Sequence, residues 1–376
     1  MSDAGDDISP GGTTGETMRF GIYTEMQAAP EKSHAELTWE ILRQIEHADQ
    51  VGFDVYSVID HHFFPKFSIS ANPLAMFTAA AQRTSRIRFR TALLTIPLEN
   101  PMRLAGMVGE ADILTNGRLE CGLGRGHAWL FGPANVPLEE SKPRFLESVE
   151  ILIRAWTQDK FSFAGKYYDV QDISVVPKPL QKPYPPLFTG GTSDETYRMA
   201  GERGWGIFVP PLLPYKVLEG PLKIYKQACV GHGHSPNIVY IRPVYLDEDP
   251  VAIRREVEMA LHNFLAFNAS PVESLQSEAK KAELRAKGYG FYASGALESL
   301  TRLTYDEIVG QGIAFIGTPK QVIGQIRDLQ AVEDIAELAI VSNFGGLDHW
   351  KSIKTQALFA QQVMPAFRGK SAGRPA

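Results

Sequence analysis

Two adjacent histidines, His61 and His62, follow Asp60 at the end of the apolar run 54–59. A short apolar run predicts a buried strand, and parallel α/β proteins bind ligands at the carboxyl ends of their strands. A histidine at such a place can act as an acid, a base or a hydrogen-bond donor near neutral pH. Neighbouring side chains of a strand point to opposite faces, so the pair is badly placed to hold one metal ion, and we predict no metal site. The alternative is a pair of structural histidines at the start of a loop.

A glycine-rich segment, residues 121–127, reads Cys-Gly-Leu-Gly-Arg-Gly-His and contains the end of another predicted strand. It does not match the dinucleotide-binding pattern G-x-G-x-x-G, because His127 stands where that pattern needs glycine and no helical pattern begins there. Its glycines allow close approach of the backbone, and Arg125 can bind a phosphate through forked, charge-assisted hydrogen bonds. A tight turn that carries a solvated arginine is the alternative.

A third polar segment, residues 189–196, reads Thr-Gly-Gly-Thr-Ser-Asp-Glu-Thr and joins the end of a predicted strand to the start of a helix. The unpaired N–H groups of a first helical turn, together with the hydroxyls of Thr192, Ser193 and Thr196, can hold a phosphate. Ser193 can instead serve only as the helix N-cap, with Thr196 in solvent. Arg125 and this helix start converge only if the fold is a barrel.

Strand and helix patterns alternate along most of the chain, and each of these polar segments lies at the end of a strand. Eight strands with helices between them predict an α/β fold of the (β/α)8 type, a TIM barrel with insertions. A doubly wound sheet is the alternative, because the sequence shows neither strand order nor closure. The predicted strands are residues 18–24, 54–59, 87–96, 118–123, 187–190, 205–209, 238–246 and 335–342.

One barrel domain, residues 18–367, accounts for nearly the whole chain. Residues 1–17 are rich in small polar residues and predict a disordered leader, and residues 368–376 predict a flexible tail. The segment 267–305 is charged in its centre and then rich in glycine and aromatic residues. Long insertions in barrels are usually active-site lids or disordered excursions, and we predict a mobile lid here that excludes water from the site.

The composition is that of a globular protein, with 44% hydrophobic and 22% charged residues in a chain of 376. The formal net charge is -5 and the basic residues are scattered, which favours neither nucleic acid nor a membrane surface as a partner. Two cysteines are too few for a disulfide framework or a zinc site. No apolar run is long enough to span a membrane, and residues 1–17 lack the apolar core of a secretory signal, so we predict a cytoplasmic location.

Taken together, the motifs resemble the successive signatures of the bacterial luciferase-like flavin-dependent monooxygenases. The resemblance extends from residue 18 to residue 367, and the motifs occur in the order found in that family. Three positions depart from it: Asp60 replaces the usual glutamate, Thr192 stands where luciferase has glutamate, and Gly124 stands where luciferase has a reactive cysteine. The matching segments are 60–63 (Asp-His-His-Phe), 91–94, 97–103, 116–126, 189–193, 317–319, 343–346 and 363–365.

The resemblance implies a two-component monooxygenase that uses reduced FMN (FMNH2) and O2. Dioxygen would add at the flavin C4a atom, and the C4a-(hydro)peroxide would oxidise a small apolar organic substrate such as an aldehyde or a ketone. His61 matches the family's catalytic histidine beside the flavin, and Ala92 and Leu93 match a pair joined by a cis peptide bond under the flavin ring. The family's phosphate-binding positions match Arg125, Thr192, Ser193 and Thr196.

The chain carries no nicotinamide-binding pattern, so the resemblance implies a separate NAD(P)H:flavin reductase as the partner that supplies reduced FMN. The family also implies a homodimer. One alternative is a dehydrogenase of the same barrel family that uses the deazaflavin F420, in which hydride transfer replaces oxygen activation. Another is a non-catalytic flavin-binding subunit, and the presence of His61 argues against it.

Overall fold

The computed structural model describes residues 18–29 and 31–368. The predicted leader, residues 1–17, and the part of the predicted tail beyond Arg368 lie outside the described residues. Within the described part of the chain, every helix is too short or too polar to cross a membrane.

Eight parallel strands close into a barrel, since each pairs with the next barrel strand along the chain and the last pairs with the first. Their residues are mostly apolar, as expected for strands covered on both faces. The predicted (β/α)8 barrel is confirmed, and the doubly wound sheet is wrong. The barrel strands are β1 (Arg19–Thr24), β2 (Val55–Val58), β3 (Arg88–Thr91), β4 (Leu119–Gly124), β5 (Leu187–Gly190), β6 (Gly206–Val209), β7 (Ile238–Leu246) and β8 (Glu337–Val341). A separate antiparallel hairpin pairs Phe161–Ala164 with Asp169–Ile173.

Polar caps determine where several helices begin. Ser33 forms a capping box at the start of the first helix, and Gly52 ends that helix in the left-handed conformation, with φ 99°. Asn72 and Asn100 each cap a helix that begins with proline. The helices are α1 (His34–Val51), α2 (Pro73–Ala81), α3 (Pro101–Leu114), α4 (Ser141–Thr157), α5 (Asp194–Glu202), α6 (Tyr215–Gly231), α7 (Pro250–Ala269), α8 (Glu278–Ala286), α9 (Ala296–Leu300), α10 (Tyr305–Gly310), α11 (Pro319–Gln330) and α12 (His349–Leu358).

Two strands differ from the prediction. The predicted third strand, residues 87–96, divides at a cis peptide bond into Arg88–Thr91 and Leu94–Thr95. A further short strand, Phe315–Gly317, pairs in parallel with the carboxyl end of β7 and is absent from the prediction. Its three residues are too few to show a periodic pattern in the sequence.

The segment 267–305 is helical for most of its length. It contains the end of α7, the helices α8 and α9, and the 3-10 turns Ser270–Leu275 and Gly290–Ala293. Tyr289 of this segment packs in one apolar cluster with Trp129 and Phe131, which follow β4. The segment therefore covers the carboxyl ends of the strands, where a lid is expected. Its mobility stays a prediction.

Arg90 of β3 is fully buried inside the barrel. Its guanidinium donates to Oε2 of Glu120 at 2.6 Å and makes two hydrogen bonds of 2.8 Å to the carboxylate of Glu337. Strands β3 and β8 are not neighbours in the ring, so the second pair crosses the barrel interior. Gly21 of β1 makes room for it, because a Cβ there would lie 2.7 Å from Oε1 of Glu337.

The arginines of this buried group favour the charged form of its carboxylates. Burial alone would raise the pKa of Glu120, but Arg90, followed by Arg19 and Arg88, outweighs burial and holds that pKa well below its usual value. Arg90 also lies 4.0 Å from the centre of the Phe188 ring, which adds a cation–π contact from β5. The Glu120 carboxylate and the Arg90 guanidinium are therefore both ionised in the folded protein.

We expect Arg90→Met to lower the free energy of unfolding by about 3–5 kcal/mol, because it leaves the buried Glu337 carboxylate without its main partner. Urea unfolding monitored by circular dichroism would measure the change. The control Arg154→Met removes a surface arginine paired with Glu150 and should change stability by less than about 1 kcal/mol. Equal effects of the two substitutions would contradict a structural role for the buried pair.

Candidate active site

A cavity of about 540 Å³ opens at the carboxyl ends of the strands. Its volume is in the range of cofactor and small-molecule sites. Its walls come from the ends of β1 to β7, from the segments that follow them, and from the segment 267–305. Six of the seven predicted site residues line it, and His61 does not. The six are Ala92, Leu93, Arg125, Thr192, Ser193 and Thr196.

Arg125 lies at one side of the cavity with part of its hydrogen-bonding capacity unused. Its Nη2 donates to the Ser141 hydroxyl at 2.9 Å and to the Lys287 carbonyl at 3.2 Å. The Tyr289 ring lies beneath the guanidinium, with 4.4 Å between the ring centre and Cζ. Among the described residues no carboxylate pairs with Arg125, and its buried Nε donates to no group. The cavity therefore offers a positive charge to a ligand.

The first turn of α5 borders the same side of the cavity. Ser193 caps this helix by accepting the N–H of Thr196 at 3.3 Å, and the two hydroxyl oxygens lie 2.9 Å apart. Thr192 is exposed at the rim. Lys142 pairs with Glu195 at 2.6 Å and offsets the acidic charge of this turn. Arg125, the helix N-terminus and the hydroxyls thus suit a phosphate, and the N-cap role of Ser193 is compatible with that use.

The peptide bond between Ala92 and Leu93 is cis, as the resemblance implies, and both residues line the cavity. Two glycines of the 121–127 segment let this wall form. A Cβ at Gly122 would lie 2.1 Å from the Thr91 carbonyl oxygen, and a Cβ at Gly124 would lie 3.0 Å from Cβ of Leu93. The predicted close approach of the backbone around this segment is confirmed, because a larger residue at Gly122 would displace the wall.

His61 lies behind the cavity wall and is only 1% exposed. The rings of Phe67, His127 and Trp129 surround it and line the cavity in its place. Trp129 Nε1 donates to His61 Nε2 at 2.9 Å. An indole N–H can only donate, so Nε2 accepts and the proton of the neutral imidazole is on Nδ1. Burial, with a smaller effect of neighbouring imidazoles, lowers the pKa of His61 far below its ordinary value.

His127 is a cavity residue that is not among the predicted site residues. Its ring stacks on Trp129, with 4.4 Å between the centres and 7° between the planes. Its Nδ1 lies 2.9 Å from the hydroxyl of Tyr292, which comes from the covering segment. Burial lowers the pKa of His127 to about 4, so the ring is uncharged at neutral pH. These three residues form an aromatic wall, in which the Tyr292 ring lies edge-on to Trp129 with 73° between the planes.

Asp60 and His62 form a separate pair beside this wall. Asp60 Oδ2 accepts the backbone N–H of Thr95 at 2.9 Å, and its Oδ1 lies 3.1 Å from Nε2 of His62. The hydrogen bond to Asp60 raises the pKa of His62. The adjacent histidines thus have different surroundings, although both lie in the loop after β2, which ends at Val58 and not at the histidines as predicted. Within the described ranges, no three His, Cys, Asp or Glu side chains are grouped as metal ligands would be.

Glu25 is a second cavity residue outside the prediction. It follows β1 directly and is 2% exposed. Its Oε2 accepts from the amides of Gln27 at 2.8 Å and Asn268 at 2.9 Å. Burial raises the pKa of Glu25 to about 8, while the Asn268 amide and the Tyr23 hydroxyl oppose the shift. One sequence signal could have identified Glu25, namely a carboxylate directly after a predicted strand. The same signal identifies Asp60.

Comparison with known proteins agrees with this fold. A model of the luciferase-like monooxygenase family matches residues 18–333. The chain therefore belongs to the luciferase-like monooxygenase family, a group of oxidoreductases, as its motifs imply.

Relatives in this family differ in cofactor. The chain is 23% identical to the oxygenase component of a flavin-dependent trigonelline monooxygenase from Acinetobacter baylyi, over 93% of this chain and 96% of that protein. It is 27% identical to an F420-dependent glucose-6-phosphate dehydrogenase from Intrasporangium calvum, over 88% of this chain and 95% of that protein. The structure resembles the crystal structure of the monooxygenase RslO1 from Streptomyces bottropensis, with a TM-score of 0.77, 25% identity, and coverage of 93% of this chain and 100% of that one.

We expect the neutral imidazole of His61 to make the protein less stable as the pH falls from 7 to 5. The unfolded chain takes up a proton below about pH 6.5 that the folded chain does not, which lowers stability by about 2 kcal/mol at pH 5. His61→Gln keeps a hydrogen-bond acceptor for Trp129. Between pH 7 and pH 5 this variant should lose about 2 kcal/mol less stability than the unaltered protein, as measured by urea unfolding. The control His34→Gln, at an exposed position, should match the unaltered protein. A variant His61→Gln with the same pH dependence as the unaltered protein would contradict the neutral buried ring.

Proposed function

We propose that this protein is the oxygenase of a two-component flavin-dependent monooxygenase, which uses reduced FMN and O2 to oxidise a small organic molecule. The observation that carries the proposal is Arg125, a cavity cation with no carboxylate partner among the described residues. It borders a mainly apolar cavity that is large enough for a cofactor. FMN has matching parts, an anionic phosphate and a flat, largely apolar ring system.

Each predicted cofactor residue has a use in this proposal. Arg125, Ser193 and Thr196 would hold the phosphate through charge-assisted and hydroxyl hydrogen bonds. Thr192 would complete that site from the rim. Ala92 and Leu93 would support the flavin ring.

Bound reduced flavin would supply the electrons that activate dioxygen, and the chain's residues would keep water away from it. The aromatic wall of His127, Trp129 and Tyr292 serves this purpose, together with the covering segment 267–305. His61 accepts the Trp129 indole N–H and so keeps that ring in place. We assign His61 a role in the reaction through Trp129, as a positioning residue.

The proposed system includes further components. The relative from Acinetobacter baylyi is the oxygenase component of its system, which supports a separate NAD(P)H:flavin reductase as the source of reduced FMN. The apolar part of the cavity suits an aldehyde, a ketone or a similar molecule as substrate. We further propose a homodimer in the cytoplasm, as the family resemblance implies.

An F420-dependent dehydrogenase is the second candidate. The observation in its favour is the 27% identity to an F420-dependent relative over most of both chains. Arg125 and the start of α5 would also hold a phosphate of that cofactor, so the phosphate site does not separate the two candidates.

We expect Arg125→Ala to weaken FMN binding by about 2–3 kcal/mol more than riboflavin binding, because only FMN carries the phosphate. Fluorescence titration of both flavins, in the variant and in the unaltered protein, would measure the difference. Riboflavin serves as the control for general damage to the cavity. Equal weakening of the two flavins would show that the phosphate binds elsewhere.

The proposed reaction is tested by mixing anaerobic protein and reduced FMN with oxygenated buffer while flavin absorbance is followed. We expect oxidised flavin to return more slowly than from free reduced FMN, and an accepted aldehyde or ketone to change that rate. If oxidised flavin returns at the rate seen for free reduced FMN, and F420 binds in a parallel titration, the dehydrogenase is favoured. If the protein binds flavin but neither changes oxygen consumption nor binds F420, it is a non-catalytic subunit.

A further inference from the structure

Glu25 is a buried acid that the proposed flavin site does not use. It lies at the end of β1, whereas the phosphate site lies at the end of β5. These strands are four positions apart in a ring of eight, so the two polar regions face each other across the mouth of the barrel. The cavity extends from one to the other.

The side chains around Glu25 donate hydrogen bonds to its carboxyl group but supply no positive charge. The amides of Gln27 and Asn268 both donate to Oε2. The Asn268 amide is itself held by the Phe264 carbonyl at 3.0 Å, which fixes its orientation toward the acid. Among the described residues no lysine, arginine or histidine forms an ion pair with Glu25.

The cationic side chains that line the cavity lie on the side opposite Glu25. Arg125 contacts Ser141, and Lys142 pairs with Glu195 at the start of α5. A buried carboxylate that lacks a counter-charge takes up a proton or acquires a cation. Among the described residues no side chain supplies that cation, and a cationic ligand in the cavity would supply it.

Aromatic rings complete the surroundings that an organic cation prefers. Tyr23 lies two residues before Glu25 and lines the cavity, as do Phe67 and Trp129. Ring faces attract ammonium groups, and quaternary ammonium ligands are commonly bound among aromatic side chains near an acid.

We propose that Glu25, with Gln27 and Asn268, forms a subsite for a positively charged nitrogen of the substrate, such as an amine or a quaternary ammonium group. The substrate class is then a mainly apolar molecule that carries one cationic nitrogen. The inference depends on the proposed function only in calling this ligand the substrate.

The test uses protein saturated with oxidised FMN and two probes of the same shape, phenyltrimethylammonium and the uncharged tert-butylbenzene. Isothermal titration calorimetry should show at least tenfold tighter binding of the cation to the unaltered protein. Glu25→Gln should abolish this preference. Glu202→Gln, which removes an exposed carboxylate at the cavity rim, should retain it.

A second variant makes the test independent of how well Glu25→Gln folds. Asn268→Lys places an ammonium of the protein beside Glu25 and should block phenyltrimethylammonium while leaving tert-butylbenzene binding within twofold. Thermal unfolding of each variant would verify its fold.

Three results would overturn the inference. The first is equal binding of both probes to the unaltered protein, and the second is a preference for the cation that survives both variants. The third is that the cation does not bind, whereas Glu25→Gln weakens the binding of a third probe, the uncharged ketone acetophenone. The last result would identify Glu25 as a neutral donor to a carbonyl group. Failure of FMN to bind would refute the proposed function, and the probes measured on the flavin-free protein would still decide the subsite.

Discussion

The buried ion pairs of Arg90 are the interaction on which this barrel most depends. A guanidinium inside a protein is tolerated only when its charge and its donors are satisfied. Here Glu120 and Glu337 supply both, from strands on either side of Arg90 in the ring. Gly21 leaves the space that the Glu337 carboxylate occupies. The interior is therefore polar at its centre, and strand register is linked to electrostatic complementarity as well as to apolar packing.

The mouth of the barrel is polar on opposite sides and aromatic between them. Arg125 and the start of α5 offer positive charge at one side, and Glu25 offers a carboxyl group at the other. Trp129, stacked on His127, supplies the aromatic surface. Such a cavity suits ligands with a charged end and an apolar body, and its opposite polar sides suit the proposed placing of a cofactor and a substrate side by side.

Burial changes the charge state, and therefore the role, of two histidines in this site. A histidine near the surface is a proton carrier around neutral pH, but His61 and His127 are held neutral by desolvation. As neutral rings they act as acceptors and as stacking partners, and His61 reaches the cavity through Trp129. His62, which pairs with Asp60, is the member of the adjacent pair whose charge is favoured.

Local sequence patterns account for the barrel and for most of the candidate site. Alternating apolar strands and capped helices indicate the (β/α)8 fold, because these patterns depend on neighbours within a few residues. Polar residues placed directly after strands indicate Arg125 and Ser193, because the ends of parallel strands meet at one face of the fold. The cis peptide bond between Ala92 and Leu93 was predicted from the family resemblance, since no local sequence pattern indicates it.

The tertiary structure decided which of the remaining polar side chains reach the cavity. His61 lies behind Trp129 because the loop after β4 returns over the end of β2, a contact between residues 68 positions apart. Glu25 follows β1 into the cavity wall, and α7 brings it a hydrogen-bond donor, Asn268, across 243 positions. Burial, pKa and counter-charge depend on such distant contacts, so the sequence determined the fold and the segments proposed to bind phosphate, and packing determined the chemistry of the site.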